Sequence, residues 1–278
     1  MSCFLPRRRS LPAVLLLVVV AGSVACEPVV AAWTGAPEER SAPLPSPAVL
    51  TDSVAEGPWP VDSARCPGSL RAATDAEGIP VAVWWRLVAP RQVHLVASWR
   101  NRPMAEAGQW TAALPIDTVD RGPRDAQGMD DGRFACGYPS PGVTVDRVNG
   151  YVHVAYPLIG PEGTGIFYAH QMDRRAAFEP PVAILYGERV GIARVASDGD
   201  VVAVAYEEPN ARLRAQVGVA ISRTAGHLFE VRLIASEGDR PAREPQVQVA
   251  GRSVTVGWSD RAAAPTFQQR TATVSVAP

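Results

Sequence analysis

The chain has 278 residues, 47% of them hydrophobic, and its 27 basic residues, every one an arginine, stand against 28 acidic ones. That length can bury a sizeable core. A formal charge of −1 lacks the basic excess of a general nucleic-acid or anionic-membrane binder.

The N-terminus carries Arg7, Arg8 and Arg9 ahead of an apolar run from Leu11 to Ala21. A charged start and an apolar stretch too short to cross a bilayer read as an export signal over residues 1–25. Two cleavages compete at its end. Ser23-Val24-Ala25 offers small residues to an ordinary signal peptidase, while Ser23-Val24-Ala25-Cys26 resembles the lipobox of bacterial lipoproteins, departing from it at Ser23. Ordinary cleavage leaves Cys26, Cys66 and Cys136, an odd set outside the cell; lipidation of Cys26 leaves one pair. Cys26 is therefore expected to carry a lipid anchor, hence a membrane partner, with plain secretion as the alternative. The mature chain then has 24 arginines against 28 acidic residues, a net charge near −4.

Residues 26–46 are rich in Ala, Pro, Glu and Ser, poor in large apolar residues, and read as a disordered tether. The domain proper is placed at 47–278. Residues 47–57 resemble the last strand of the units described next and are expected to complete the final one.

Four segments share one pattern: an alternating strand, a turn, and a second apolar strand ending in an aromatic residue. Their second strands are Val81–Trp85, Tyr151–Tyr156, Val201–Tyr206 and Val254–Trp258. Between the paired strands stand Asp75 to Gly78, Asn149-Gly150, Asp198-Gly199 and Gly251, residue types suited to tight hairpins. Each of the first three units continues into a third strand, a polar turn and a fourth strand introduced by an aromatic. The expected fold is therefore all-β, a small propeller of about four four-stranded blades, the last closed by an N-terminal strand. An open sheet stack or a sandwich is the alternative.

The longest insertion, 117–141, lacks the regular aspartate spacing of a calcium loop and reads as solvated. His94, His153, His170 and His227 show no zinc-site spacing. Neither a metal nor a cofactor is expected, and no hydrolase or nucleotide signature is present. Cys66 and Cys136 precede the first strands of units one and two, which emerge at one end of a propeller. They are expected to form a disulfide in the oxidising compartment that export supplies.

Loops between blades, and between second and third strands, share one mouth of a propeller. They carry Arg86, Asp131, Arg133, Arg189, Glu207, Arg240 and Arg261, the candidate ligand-binding set. Arginine forks suit carboxylate or sulfate groups on glycans.

The third-to-fourth-strand turns resemble the Asp-box of sialidase-like propellers. Ser222 to Phe229 keeps Ser222, Gly226 and Phe229, with Thr224 where the Asp belongs; Gln171 to Phe178 keeps Asp173 and Phe178. The resemblance implies structural turns rather than a catalytic site. Sialidase-type catalysis needs three arginines to clamp a carboxylate, a Tyr nucleophile activated by a Glu, and an Asp as acid and base. The family carries its first arginine in a Phe/Tyr-Arg-Ile-Pro motif, where Glu77-Gly78-Ile79-Pro80 has no arginine. Tyr156 and Tyr206 recur at equivalent repeat positions, as packing residues do. The expected function is non-catalytic: an exported, lipid-anchored envelope propeller binding a glycan, peptide or protein ligand, with no catalytic residue assigned. An exo-acting sialidase-type glycosidase and a structural envelope component are the alternatives.

Overall fold

The structure is a computed structural model that describes residues 30–44, 50–51, 59–89, 92–118, 138–160, 163–187, 191–236, 240–263 and 266–277. Among these there is no helix. The strands are β1 (Ala31–Trp33), β2 (Glu38–Arg40), β3 (Leu50–Thr51), β4 (Arg71–Thr74), β5 (Pro80–Ala89), β6 (Gln92–Trp99), β7 (Leu114–Asp117), β8 (Gly142–Val145) and β9 (Val152–Gly160). They continue with β10 (Gly163–Gln171), β11 (Val182–Tyr186), β12 (Ala193–Asp198), β13 (Val201–Pro209), β14 (Ala215–Ser222), β15 (Phe229–Ile234), β16 (Ala242–Ala250), β17 (Ser253–Ala263) and β18 (Thr266–Val276).

They form four antiparallel sheets: β3-β4-β5-β6-β7, β8-β9-β10-β11, β12-β13-β14-β15, and β16-β17-β18-β1 with β2 also paired to β18. Each sheet buries apolar side chains against the next. One cluster joins sheets one and two around Trp85 and Tyr156. A second joins sheets two and three around Tyr168 and Tyr206, and a third joins sheets three and four around Trp258. The repeat-terminal aromatics Trp85, Tyr156, Tyr206 and Trp258 are at most 1% exposed, which places them in the core. The architecture is the four-bladed β-propeller read from the repeats.

An N-terminal strand does complete the last sheet, but it is not the 47–57 segment. Ala31–Trp33 pairs with Val274–Val276, and Glu38–Arg40 pairs with residues 269–271. From 47–57 only Leu50–Thr51 is described in a strand, and it pairs with β4 of the first sheet. The 26–46 stretch is therefore not all tether. Its polar composition hides Trp33, which packs with Ala31 onto the sheet-four core, while the eleven-residue β18 leaves an edge long enough for both short strands.

The hairpin glycines Gly78, Gly150, Gly199 and Gly251 all have positive φ, from 54° to 76°, as the turn reading requires. Aspartates knit these hairpins across sheets. Asp146 Oδ1 accepts from the Val148 and Asn149 amides of its own hairpin, and its Oδ2 accepts from Gly199 N of the next sheet at 2.9 Å. Asp198 Oδ2 accepts from Gly251 N at 2.7 Å. At the first junction Arg174 takes this part, pairing with Asp75 while lying 5.0 Å over the Trp99 ring.

Cys66 is 1% exposed, disulfide-bonded, and packs in the cluster that also holds Tyr138. Cys136 and Cys26 lie outside the described residues.

Candidate functional site

Neighbouring sheets meet through the first strand of each repeat: β4 meets β8, β8 meets β12, and β12 meets β16. Side chains at the starts of these strands therefore converge near the axis, at the mouth end. Arg71 of β4 and Arg194 of β12 each stand four residues before a hairpin aspartate, Asp75 or Asp198. At the same place before Asp146 stands Gly142, where a Cβ would come within 2.9 Å of the Arg194 Cα. A glycine there lets β8 approach β12 and leaves the two arginines to face one another.

Two glutamates join them. Glu207, 8% exposed, lies near the end of the second strand of sheet three and accepts the Glu244 amide on Oε1 at 2.7 Å. Glu244 holds a left-handed φ of 56°, at the break in register between Arg243 and Gln246. That is a costly conformation for a non-glycine residue, of the kind that collects at functional sites. Its Oε2 accepts from Ser259 Oγ at 2.8 Å, and Ser259 Oγ in turn accepts from Gln269 Nε2 at 2.9 Å. The carboxylates are thus held by main chain and hydroxyl.

Arg194 donates from Nη1 to the Ala193 carbonyl at 2.8 Å, and among the described residues it has no ion-pair partner within 4.0 Å. Burial lowers its pKa to about 10, with repulsion from Arg71 adding to the shift and Glu207 and Glu244 opposing it. It remains a cation at neutral pH, keeps partial solvent access, and has donors to spare. Guanidinium donors beside carboxylate acceptors make a hydrogen-bonding floor for a polyhydroxylated or acidic ligand.

Comparison with known proteins gives the fold and no more. No protein-family model and no curated protein matches the chain. Among solved structures it is similar to a protein of unknown function from Dyadobacter fermentans, with a TM-score of 0.52 and 11% identity over 73% of this chain. The chain spans about half of that protein, 51% of its length. It is also similar to a GH43 endo-arabinanase from Bacillus licheniformis (TM-score 0.42, 9% identity, 77% of this chain and 78% of that one). An endo-arabinase from Bacteroides thetaiotaomicron gives a TM-score of 0.41 at 11% identity, covering 79% of this chain and 80% of that one.

The loop residues proposed for the mouth fare unevenly. Glu207 belongs to the cluster. Arg86 is committed to structure: its Nε donates to Asp62 Oδ2 at 2.7 Å, beside a 2.7 Å bond from Trp84 Nε1 to the same oxygen. Burial opposes ionisation of Asp62, but these bonds and the Ala64 amide hold its carboxyl below the ordinary range. Arg240 lies 3.7 Å from Asp260, which also meets Arg270 at 3.5 Å. Asp131, Arg133 and Arg189 fall outside the described residues, as does the Arg261 side chain. The loop-based reading passes over Arg71, Arg194 and Glu244. For Arg71 and Arg194 the sequence signal is a lone arginine among apolar residues at the start of a first strand, as in Ala193-Arg194-Val195-Ala196, whereas Glu244 follows Arg243 in a polar stretch and carries no such signal.

Tyr156 and Tyr206 are poorly placed to act as nucleophiles. Tyr156 donates to Asp117 Oδ2 at 2.7 Å; burial, followed by the Asp117 charge, pushes its ionisation well above the usual range. Tyr206 is raised chiefly by burial, against a hydrogen bond from Arg232.

At the opposite, hairpin end the Asp-box-like turns act as structure. Ser222 Oγ accepts from the Thr224 and Gly226 amides, each at 3.1 Å, and Phe229 packs edge-on against Tyr168 at 4.8 Å between centroids. In the other turn Asp173 Oδ1 accepts from Arg175 N at 2.9 Å, and Phe178 enters the core of sheets one and two.

Beside the first of these turns lie His153, His170 and His227. Among the described residues no group of three or more His, Cys, Asp or Glu is placed to hold a metal. His153 Nδ1 meets Tyr168 Oη at 2.6 Å. Burial, then repulsion from His170 and His227, lowers the His153 pKa to about 3, and burial also lowers that of His170. The unfolded chain takes up protons near pH 6.5 that the folded His153 refuses, so stability falls as pH drops from about 6.5 towards 3. At pH 5 this term amounts to about 2 kcal/mol for His153. His153→Gln is expected to flatten the acid limb of a urea-denaturation series between pH 7 and 5 by that amount; an unchanged limb would place the acid sensitivity elsewhere.

Proposed function

We propose that this protein is a non-catalytic binding module of the cell envelope, exported and held at a membrane by a lipid on Cys26, whose mouth takes a glycan. The observation that carries the binding site is the meeting of Arg71, Arg194, Glu207 and Glu244 near the axis. The Arg194 guanidinium there is left without an ion-pair partner among the described residues. Guanidinium forks suit carboxylate or sulfate substituents, and carboxylates accept from sugar hydroxyls. Peptide and protein ligands meet the same chemistry less fully, since the four side chains that meet there are all charged and none offers an apolar seat for an anchoring side chain.

The sialidase-like reading is kept at the level of the turns, where Ser222, Gly226 and Phe229 support a structural role. A sialidase-type glycosidase finds little support, because Tyr156 and Tyr206 are both fully buried and resist ionisation. A purely structural envelope component would leave the strained Glu244 and the unpaired Arg194 without a use.

A glycan array with fluorogenic sialoside and arabinoside turnover beside it tests the reading. Binding of acidic glycans without turnover is the expected result. Turnover that is lost on Glu207→Gln or Glu244→Gln would make the protein an enzyme instead.

A further inference from the structure

The chain near residue 30 leaves the domain at one end of the propeller. The Val30 carbonyl accepts from Ala277 N at 2.8 Å, and Val276 N donates to the Arg252 carbonyl at 2.9 Å. The first described residue therefore sits beside the Gly251–Arg252 hairpin, at the end opposite the Arg194 cluster. The bonds from Gly199 to Asp146 and from Gly251 to Asp198 tie the hairpins of sheets two, three and four into one surface at that end, and Arg174 ties in the hairpin of sheet one.

From Cys26 to Val30 is a step of four residues, which spans at most about 14 Å fully extended. We infer that the hairpin end of the propeller rests on the lipid headgroups and that the mouth points away from the membrane. The inference rests on the lipid anchor proposed above.

The chemistry of that end suits an interface with anionic phospholipid. Val148, Met172 and Leu228 stand at its turns with 72%, 40% and 60% of their surface exposed. Arg147 and Arg175 have exposed side chains whose guanidinium groups make no hydrogen bond or ion pair among the described residues, and Arg252 uses one donor on the Ala277 carbonyl. Apolar tips beside free guanidiniums are the composition of an interfacial contact: the tips enter the headgroup boundary and the cations meet phosphate. The acidic Glu77, Asp173 and Asp200 lie at the same end, so charge alone would bind weakly. A short leash makes a weak contact count, because it holds the surface at high effective concentration.

Hydrogen exchange on the full lipidated protein in vesicles of phosphatidylethanolamine with a minor fraction of phosphatidylglycerol tests this. Exchange should slow several-fold at residues 146–150, 172–176 and 223–228 relative to detergent, and stay unchanged at 208–214 near the mouth. A long Gly-Ser insertion after residue 28 should abolish the protection while the protein stays in the membrane fraction. Intact mass reports acylation of Cys26 separately: its absence overturns the anchor. Acylation with protection at the mouth segments, or at neither end, overturns the orientation.

Discussion

Gly226→Val is expected to destabilise the protein by about 4 kcal/mol, combining a left-handed backbone that a β-branched residue rarely adopts with a steric clash in a packed interface. Gly226 has a φ of 90°, and a Cβ there would overlap Tyr168 Oη. Tyr168 cannot step aside. Its hydroxyl is held by His153 at 2.6 Å, and its ring lies against Phe229 across the junction of sheets two and three. Thermal or urea unfolding measures the loss. Tyr168→Phe should recover part of it in a Gly226→Ala background by removing the overlapping oxygen, and a Gly226→Val protein of wild-type stability would mean that the turn does not sit on Tyr168.

Loss of the disulfide at Cys66 comes next in size. With Cys136 as its partner, the bond closes a loop of about 70 residues, for which chain entropy gives about 4 kcal/mol. Placement supports that pairing: Cys66 is buried in the sheet-one and sheet-two core, and the ring of Tyr138, two residues beyond Cys136, lies tilted against Trp85 at 4.7 Å between centroids in the same cluster. Cys66→Ser/Cys136→Ser should therefore lower stability by that amount under oxidising conditions and make it insensitive to reductant. Mass spectrometry of unreduced peptides identifies the partner, and a free, alkylated Cys136 would refute the pairing.

Much of this architecture was legible because a propeller repeats its local physics. Alternating strands, positive-φ glycines and buried terminal aromatics recur with each sheet, so the period carries the fold. The closing strand was not legible for the opposite reason: three residues ending in Trp33 take their stability from an existing edge of β18 and carry almost no pattern of their own. The site was half legible. A search of loops finds Glu207 and also Arg86, whose charge Asp62 already engages. It passes over Arg71 and Arg194, because only the convergence of first strands brings residues so distant in sequence together.

The assignment of a ligand to the mouth rests on Arg194. Titration calorimetry of the wild-type protein against uronate-bearing, sulfated and neutral oligosaccharides of equal length, repeated with Arg194→Met and Arg194→Lys, measures its role directly. Heat is expected with an acidic series, with loss of about tenfold or more in affinity for Arg194→Met and incomplete rescue by lysine, which keeps the charge and loses the fork. Binding of an acidic oligosaccharide with the same affinity by the wild-type and Arg194→Met proteins would contradict that assignment.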